Sequence, residues 1–326
     1  MPKPRFSRPT AAATAFAGVL ALLLSACSSS GNPGSGADVV TVTKGGSEIV
    51  STPPPDSSSP SKPTNPVHIK TLNADGVQYG VGMPVIAFFS KKIKNAAALQ
   101  EATKVKVDGR PIEGAWYFEY SSYYKGYPIE GHWRPKDYWQ PHSRVHVDIP
   151  AKGVSAGGNL AFDDSLTLDF DIGAKNIAVV DDAAHRITVT SDGKKKFNFP
   201  VSLGANDTPT THGIKVIMEK GVSICMSGPG YSECGVKFTQ RLTYDGEYLH
   251  AAPWNTYNID HGIDSSNGCT NMHDADAETL YHFLEVGDVV VYPNANGPAM
   301  QLGSGYGDWN IDWDQWLTGG LVSTTA

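Results

Sequence analysis

Short apolar and aromatic runs separated by polar turns cover most of the chain beyond about residue 65. In segments such as 144–149 and 166–170, apolar and polar residues alternate at every second position. A period of two is typical of strands that bury one face. Turn sequences such as Asp108-Gly109 separate neighbouring runs. The pattern predicts a mainly β fold.

The predicted strands fall into two blocks. Residues 66–173 contain six or seven of them, which predicts an immunoglobulin-like sandwich. A second β-rich block spans residues 174–298 and contains one predicted helix, Asp274 to Glu285. Asp274 is a candidate N-cap for this helix, and Gly287 is a candidate stop signal.

The first 27 residues predict an export signal. Lys3, Arg5 and Arg8 precede an apolar run, 11–24, that is too short to cross a bilayer comfortably. An ordinary cleaved signal peptide is one interpretation. However, the sequence Leu-Ser-Ala-Cys ending at Cys27 resembles a bacterial lipobox, in which the cysteine is acylated. We favour the second interpretation, which predicts a lipoprotein on the outer face of the membrane.

Residues 28–65 have the composition of a linker. They are rich in serine and proline and lack the apolar residues needed for a core. We expect a flexible spacer between the lipid anchor and the folded body.

The net charge argues against nucleic acid as a partner. The chain carries a formal charge of −7, and the predicted signal contains basic residues only. Without the first 26 residues, 23 basic and 33 acidic residues remain, a net charge of −10. Such a chain repels phosphate backbones, so we expect no nucleic-acid binding.

Cysteine usage supplies the first candidate chemistry. The chain has four cysteines, Cys27, Cys225, Cys234 and Cys269. Cys225 and Cys234 flank a turn-rich segment that is able to bring them to bridging distance. Cys269 would then be a lone thiol in a polar, glycine-containing loop, which favours a nucleophile over a core residue.

A thiol nucleophile needs a base, and His250 at the end of a predicted strand is the best candidate. Zinc is the competing chemistry, because His261 and His273 lie close to His250 and Cys269 in sequence. No pair among them has the short spacing of known zinc frameworks. We therefore expect no metal at this site.

The segment from His250 to Asn271 resembles the active-site signature of L,D-transpeptidases, His-x-x-Pro-Trp followed by Ser-(His or Asn)-Gly-Cys-x-Asn. Thr208 to Gly213 is similar to the family's Pro-Thr-Pro-x-Gly segment. Gly307 to Trp316 is similar to the tail of actinobacterial members. The resemblance implies an immunoglobulin-like domain, a YkuD-type catalytic β-sandwich with one or two short helices, and a packed C-terminal tail over residues 299–326.

The resemblance also implies roles for individual residues. Cys269 would be the nucleophile and His250 the general base, oriented by the backbone carbonyl of Ala251. The backbone amides of Asn267, Gly268 and Cys269 would form the oxyanion hole.

Further residues match positions that contact the substrate in the family. They are Met218, Tyr231, Trp254, Ser266 and Asn271. A Cys225–Cys234 bridge would lie at the base of the lid that carries Tyr231, and it would stiffen that lid.

The implied reaction is a 3→3 peptidoglycan cross-link between two stem peptides through a Cys269 thioester, without metal or nucleotide cofactor. Carbapenems are expected to acylate the same cysteine. The alternatives with the same chemistry are an L,D-carboxypeptidase and an enzyme that attaches protein to peptidoglycan. The alternative without cysteine chemistry is a non-catalytic lipoprotein that binds the cell wall.

Overall fold

The computed structural model describes residues 65–121, 123–228 and 231–325. These residues belong to one compact unit. The predicted signal sequence, Cys27 and nearly all of the predicted linker lie outside the described residues. No helix in the described part of the chain is long and apolar enough to cross a membrane.

The first half of the described chain forms a β-sandwich, the first sandwich. Its elements are β1 (Pro66–Val67), β2 (Ile69–Thr71), β3 (Gln78–Tyr79), β4 (Val85–Phe89), α1 (Ala97–Ala102), β5 (Lys104–Val107), β6 (Arg110–Pro111), β7 (Gly114–Tyr120), β8 (Ile129–Pro135), β9 (Ser143–Ile149), β10 (Ala161–Phe162) and β11 (Leu166–Ile172). One sheet has the order β3-β11-β9-β5-β6 and the other β2-β4-β8-β7, while β1 pairs with β10.

Strand β9 shows why these residues form a sandwich. Val145, Val147 and Ile149 are buried, while the residues between them are exposed or half-buried. The buried residues share a core with Phe88 and Phe118 of the opposite sheet. Burying apolar side chains of this size contributes about 1.5–3 kcal/mol each, so this alternation fixes which face of the strand turns inward.

A second sandwich follows. Its elements are β12 (Asn176–Asp181), β13 (Arg186–Ser191), β14 (Lys194–Pro200), β15 (Gly213–Val216), β16 (Glu219–Gly228), β17 (Tyr231–Arg241), β18 (Tyr248–Ala251), α2 (Thr256–His261), β19 (Thr270–Met272), α3 (Asp274–Phe283) and β20 (Val289–Tyr292). One sheet has the order β14-β13-β12-β20-β15 and the other β16-β17-β18-β19. Val189, Leu249 and Leu280 meet in the core that both sheets share with α3. The mainly β architecture with few short helices confirms the predicted fold class.

Helix α3 begins where the sequence predicts it and ends two residues earlier. Its N-cap is His273 rather than Asp274, which is the first helical residue. Asp274 and Asp276 lie in the first turn, where a negative charge is stabilised by the helix dipole. Leu284 is extended, because it leaves the helix to fill the core beside Leu280.

The C-terminal tail packs against the first sandwich. Its elements are a 3₁₀ turn (Asp308–Asn310) and α4 (Trp313–Trp316). The Trp316 indole donates a hydrogen bond to the Ala115 carbonyl of β7 over 2.8 Å. The Arg134 guanidinium lies 4.2 Å from the centre of the Trp316 ring and 4.5 Å from that of Trp309. The tail is thereby held on the outside of β7 and β8.

Candidate active site

Strand pairing brings the two predicted catalytic residues together. In the parallel pair β18–β19, His250 lies opposite Asn271. Cys269 immediately precedes β19, so it lies next to β18, the strand that carries His250. Both residues line a cavity of about 340 Å³.

His250 is held as a neutral base. Its Nδ1 lies 2.8 Å from the Ala251 carbonyl oxygen, and since a carbonyl only accepts, Nδ1 carries the proton. This tautomer leaves Nε2 as the proton acceptor of the ring. Burial lowers the pKa of His250, and the hydrogen bond to Ala251 opposes this only in part. Ala251 therefore contributes its carbonyl, as the family resemblance implies.

Cys269 is held as a thiol. Burial raises its pKa to about 12, although a hydrogen bond from the Tyr248 backbone acts in the opposite direction. The thiol donates to the Gly246 carbonyl oxygen over 3.4 Å. A thiol is a poor nucleophile, so the reaction of this cysteine requires removal of its proton as the sulfur attacks.

Side-chain hydroxyls fix the loop that precedes Cys269. Thr208, Thr210 and Ser266 donate hydrogen bonds to the carbonyls of Ser266, Gly268 and Cys269 over 2.8, 2.9 and 2.6 Å, respectively. Gly268 has φ +98°, a conformation that side-chain-bearing residues rarely adopt. Only glycine therefore fits here without strain, and the loop is fixed where the resemblance implies an oxyanion hole.

The cavity includes most of the predicted substrate-contact residues. Trp254, Ser266, Asn267 and Asn271 line it together with Cys269 and His250. The Trp254 ring stacks against the His250 ring at 6.0 Å between centroids. The buried Asn271 Oδ1 has no hydrogen-bond partner among the described residues.

Met218 is not among the residues that line this cavity, so its predicted role as a pocket wall stays a prediction. Met218 is buried in the core of the first sandwich, beside Tyr306 of the tail. Strand β15 ends two residues before it, at Val216. The methionine that does line this cavity is Met226 of β16.

Several other cavity residues were missed by the sequence analysis. They are Ser232, Glu233, Val236, Asn255, Asn258 and Ser265. The Asn255 amide donates to Ser265 Oγ over 2.9 Å, which ties the segment after His250 to the loop before Cys269. The pair lies outside the spacing that the family motif constrains, so no single-sequence signal pointed to it.

A hairpin of β16 and β17 forms one wall of the cavity. A disulfide joins Cys225 and Cys234 across these two strands. Tyr231 begins β17 near the tip of this hairpin, but its side chain lies outside what the structure describes. The predicted role of Tyr231 therefore stays a prediction.

A buried ion pair behind Cys269 was also missed. Lys215 of β15 contacts Glu247 through its Nζ, and this ammonium lies 3.9 Å from the centre of the Tyr292 ring. Glu247 also accepts hydrogen bonds from the Thr211 amide and hydroxyl over 2.7 and 2.8 Å. Lys215 lowers and Glu247 raises the pKa of Cys269. The signal was present in the sequence, since Lys215 is the one charge in a strand of apolar residues.

The histidines that suggested zinc do not gather around Cys269. His261 contacts the Tyr257 carbonyl over 2.7 Å, and His273 contacts Asp260 over 2.9 Å. Among the described residues, no group with metal-binding geometry includes Cys269 or His250.

Comparison with known proteins agrees with this geometry. Residues 175–291, which contain both Cys269 and His250, match the family model of the L,D-transpeptidase catalytic domain. The chain therefore carries a domain similar to the L,D-transpeptidase catalytic domain. Residues 41–155 match the model of a bacterial Ig domain. The exact domain boundaries predicted from the sequence stay predictions.

Two named relatives come from Mycobacterium tuberculosis. L,D-transpeptidase 2 (strain CDC 1551 / Oshkosh) is 31% identical over 268 residues, covering 78% of this chain and 64% of that protein. L,D-transpeptidase 5 (strain ATCC 25618 / H37Rv) is 32% identical over 268 residues, covering 77% and 56%, respectively. The chain therefore spans less than two thirds of the length of both relatives.

Solved structures share the fold. An LD transpeptidase in complex with imipenem superposes with a TM-score of 0.56 at 25% identity, covering 71% of this chain and 100% of that one. An L,D-transpeptidase from M. tuberculosis H37Rv superposes with a TM-score of 0.53 at 28% identity, covering 69% and 97%.

Proposed function

We propose that this protein is an L,D-transpeptidase that forms 3→3 cross-links in peptidoglycan through an acyl-enzyme on Cys269. One observation carries the proposal. The thiol of Cys269 and the imidazole of His250 line one cavity inside the segment that matches the L,D-transpeptidase catalytic domain. The relatives named as L,D-transpeptidases support the same reaction.

In the first half-reaction, Cys269 attacks the carbonyl of the third residue, meso-diaminopimelate, in a tetrapeptide stem. The thiol proton passes to His250 Nε2 as the carbon–sulfur bond forms. The imidazolium then donates this proton to the departing D-alanine amine, which leaves a thioester on Cys269. The imidazole of His250 acts first as the base and then as the acid, so no other group is needed to transfer the proton.

The second half-reaction consumes the thioester. The side-chain amine of a second stem attacks the thioester carbonyl, and His250 takes up the amine proton and returns it to the departing sulfur. This regenerates the neutral pair. Chemistry of this kind uses no metal and no nucleotide.

The resting protonation of the pair suits a concerted proton transfer. Burial raises the pKa of Cys269 and lowers that of His250, so a stable thiolate–imidazolium pair is disfavoured before substrate binds. The amides of Asn267, Gly268 and Cys269 would stabilise the negative oxygen of the tetrahedral intermediate. Such donors are typically worth about 2.7–4 kcal/mol each in the transition state.

Polar and aromatic groups at the cavity would bind the donor stem. Asn271 Oδ1 has a free acceptor site among its described surroundings, suited to a peptide amide of the substrate. Trp254, Ser266 and Tyr231 are the other proposed contacts. Carbapenems would enter the same cavity, as supported by the imipenem complex of the similar LD transpeptidase.

We further propose where the enzyme works. Acylation of Cys27 would anchor the exported protein at the outer face of the cell membrane, and the segment 28–65 would act as its spacer. The partners would then be donor and acceptor stems of the cell wall. The apolar run before Cys27 and the acidic balance of the remaining chain support this placement.

Intact-protein mass spectrometry after incubation with imipenem tests the nucleophile. We expect one covalent adduct on the native protein and none on Cys269→Ala. His250→Ala should slow labelling by about 10² to 10⁴, whereas the matched control His261→Ala should label at the native rate. Labelling of Cys269→Ala, or equal slowing by both histidine variants, would contradict the assignment.

Incubation with a tetrapeptide-containing disaccharide distinguishes the possible acceptors. A 3→3 dimer with release of D-alanine supports the transpeptidase. Release of D-alanine with a tripeptide alone would identify a carboxypeptidase, and a stem joined to protein would identify an attachment enzyme. Absence of both labelling and turnover would favour the non-catalytic lipoprotein.

A further inference from the structure

A second group of reactive side chains lies outside the catalytic cavity, where the tail crosses the first sandwich. Glu119 of β7 pairs directly with Glu130 of β8 across the sheet. His132 lies two residues further along β8 than Glu130, so it shares the same face of the strand. Asp308 reaches this group from the 3₁₀ turn of the tail.

His132 is oriented by the tail. Its Nδ1 lies 2.7 Å from Asp308 Oδ1, and the residue is only 3% exposed. The opposite nitrogen, Nε2, lies 3.6 Å from Glu130 Oε1 and 3.9 Å from Glu119 Oε1. These two separations exceed hydrogen-bond length, so Nε2 faces two carboxylates without bonding to either.

Buried polar atoms rarely lack a partner. Here His132 Nε2, Glu130 Oε2 and Asp308 Oδ2 are all buried and have no hydrogen-bond partner among the described residues. Two carboxylates also lie directly across the sheet from each other, an arrangement that repels when both are ionised. A proton on Glu119, a protonated His132 or a bound cation would balance the group.

The geometry matches a metal site. One nitrogen of His132 and one oxygen each of Glu119 and Glu130 lie within 4.8 Å of one another. Histidines that bind metals usually donate their other ring N–H to a carboxylate, which fixes the ring and its tautomer. Asp308 is that carboxylate here. Two glutamates would neutralise a divalent ion.

We propose that Glu119, Glu130 and His132 bind a divalent transition-metal ion, best fitted by Zn²⁺, with Asp308 as the residue that positions His132. Zinc accepts nitrogen and carboxylate ligands at about 2.0–2.2 Å and leaves a fourth position for water when the protein supplies three. The Glu119 side chain is 14% exposed, which gives the ion a route from solvent.

The proposed ion would fasten the tail to the first sandwich. Asp308 shares its short turn with Asn310, which exchanges two hydrogen bonds with Ile214 of the second sandwich, both over 2.7 Å. The Asp308 backbone also accepts a hydrogen bond from Arg134. A metal behind Asp308 would thus stabilise the point where both sandwiches meet the tail.

Protons are the competitor for this site. Burial raises the pKa of Glu119 to about 8. Burial alone would lower the pKa of His132, but Asp308 raises it well above its usual value.

Isothermal titration calorimetry of the chelator-treated full chain with ZnCl₂ and MnCl₂ tests the proposal. The measurement uses the Cys269→Ala background, so that the catalytic thiol cannot contribute a ligand. We expect one Zn²⁺ per chain at micromolar concentration or tighter, with weaker Mn²⁺ binding. His132→Gln should weaken Zn²⁺ binding by at least about 100-fold, and Asp308→Asn by about 10- to 100-fold.

His185→Gln is the matched control, because His185 lies with Asp182 and Asp264 in a second, more exposed group of similar composition. It should leave Zn²⁺ binding unchanged. If His132→Gln does not fold, the absorption spectrum of the Co²⁺-loaded chain that keeps Glu119, Glu130 and His132 is measured instead. Intense absorption bands typical of tetrahedral Co²⁺ would support the site. The proposal is overturned if no stoichiometric binding occurs, if His185→Gln abolishes it while His132→Gln does not, or if bound Co²⁺ gives only the spectrum of the hydrated ion.

Discussion

The chain buries charge in two places, and the two places are built differently. Behind Cys269, Lys215 and Glu247 form a pair in which both glutamate oxygens have partners within the protein. Below the tail, Glu119, Glu130, His132 and Asp308 leave three buried polar atoms without any described partner.

The two groups of buried charges are suited to different roles. A buried ion pair whose carboxylate oxygens both have hydrogen-bond partners is rigid, and a change in either partner is costly. A group with unsatisfied atoms has capacity left for a ligand. The first group therefore serves as a fixed support behind Cys269, whereas the second is able to take up a proton or an ion.

Removing one partner of the satisfied pair should have the largest effect. Glu247→Ala leaves the Lys215 ammonium buried without a counter-charge, which should lower the free energy of unfolding by about 3–5 kcal/mol. Urea denaturation measures this. The control is Glu219→Ala, which breaks the ion pair of Glu219 with Arg241. Because the Glu219 side chain is 53% exposed, this change should cost less than about 1 kcal/mol.

Replacing both partners separates charge from packing. Lys215→Met combined with Glu247→Leu should recover most of the stability lost in Glu247→Ala, because no unpaired charge remains. Equal losses in the double variant and in Glu247→Ala would mean that the cost comes from packing or from the Thr211 hydrogen bonds.

A change in the unsatisfied group should cost less in the metal-free protein. Asp308→Asn weakens the charged hydrogen bond to His132 and should lower stability by about 1–3 kcal/mol. Hydrogen exchange should localise the loss to the tail, residues 299–325. The exposed Asp312→Asn should change neither measurement, and a loss spread evenly over the second sandwich would contradict the local role of Asp308.

The smallest predicted effect is electrostatic and concerns Cys269. Lys215 lowers the pKa of the Cys269 thiol, so Lys215→Met should raise that pKa. The titration profile of the Cys269 thiolate, followed by its ultraviolet absorbance, should shift to higher pH, by about one unit or less, which corresponds to ~1.4 kcal/mol per unit.

Lys194→Met is the control for this measurement, because it removes an exposed lysine at the start of β14. Its profile should match that of the native protein. A shift of the Lys215→Met profile to lower pH, or no shift at all, would contradict the electrostatic influence of the pair on the nucleophile.

The local patterns in the sequence determined much of this protein. Alternating apolar positions predicted the mainly β fold and the first sandwich, because each strand must bury one face and expose the other. Polar, glycine-containing surroundings marked Cys269 as a candidate nucleophile, and the family motif around it linked it to His250. These features depend on residues that are close together in the sequence, so they are recognisable without the structure.

Tertiary structure alone decided the rest. Met218 and Met226 are both methionines near the ends of strands. In the folded chain Met218 packs in the core, whereas Met226 lines the cavity. Lys215 meets Glu247, and His132 meets Asp308, over 32 and 176 positions of the chain. Such pairs form because the order of strands in the sheets brings distant strands and the tail together. The low dielectric of the interior then strengthens the electrostatic interaction between their charges.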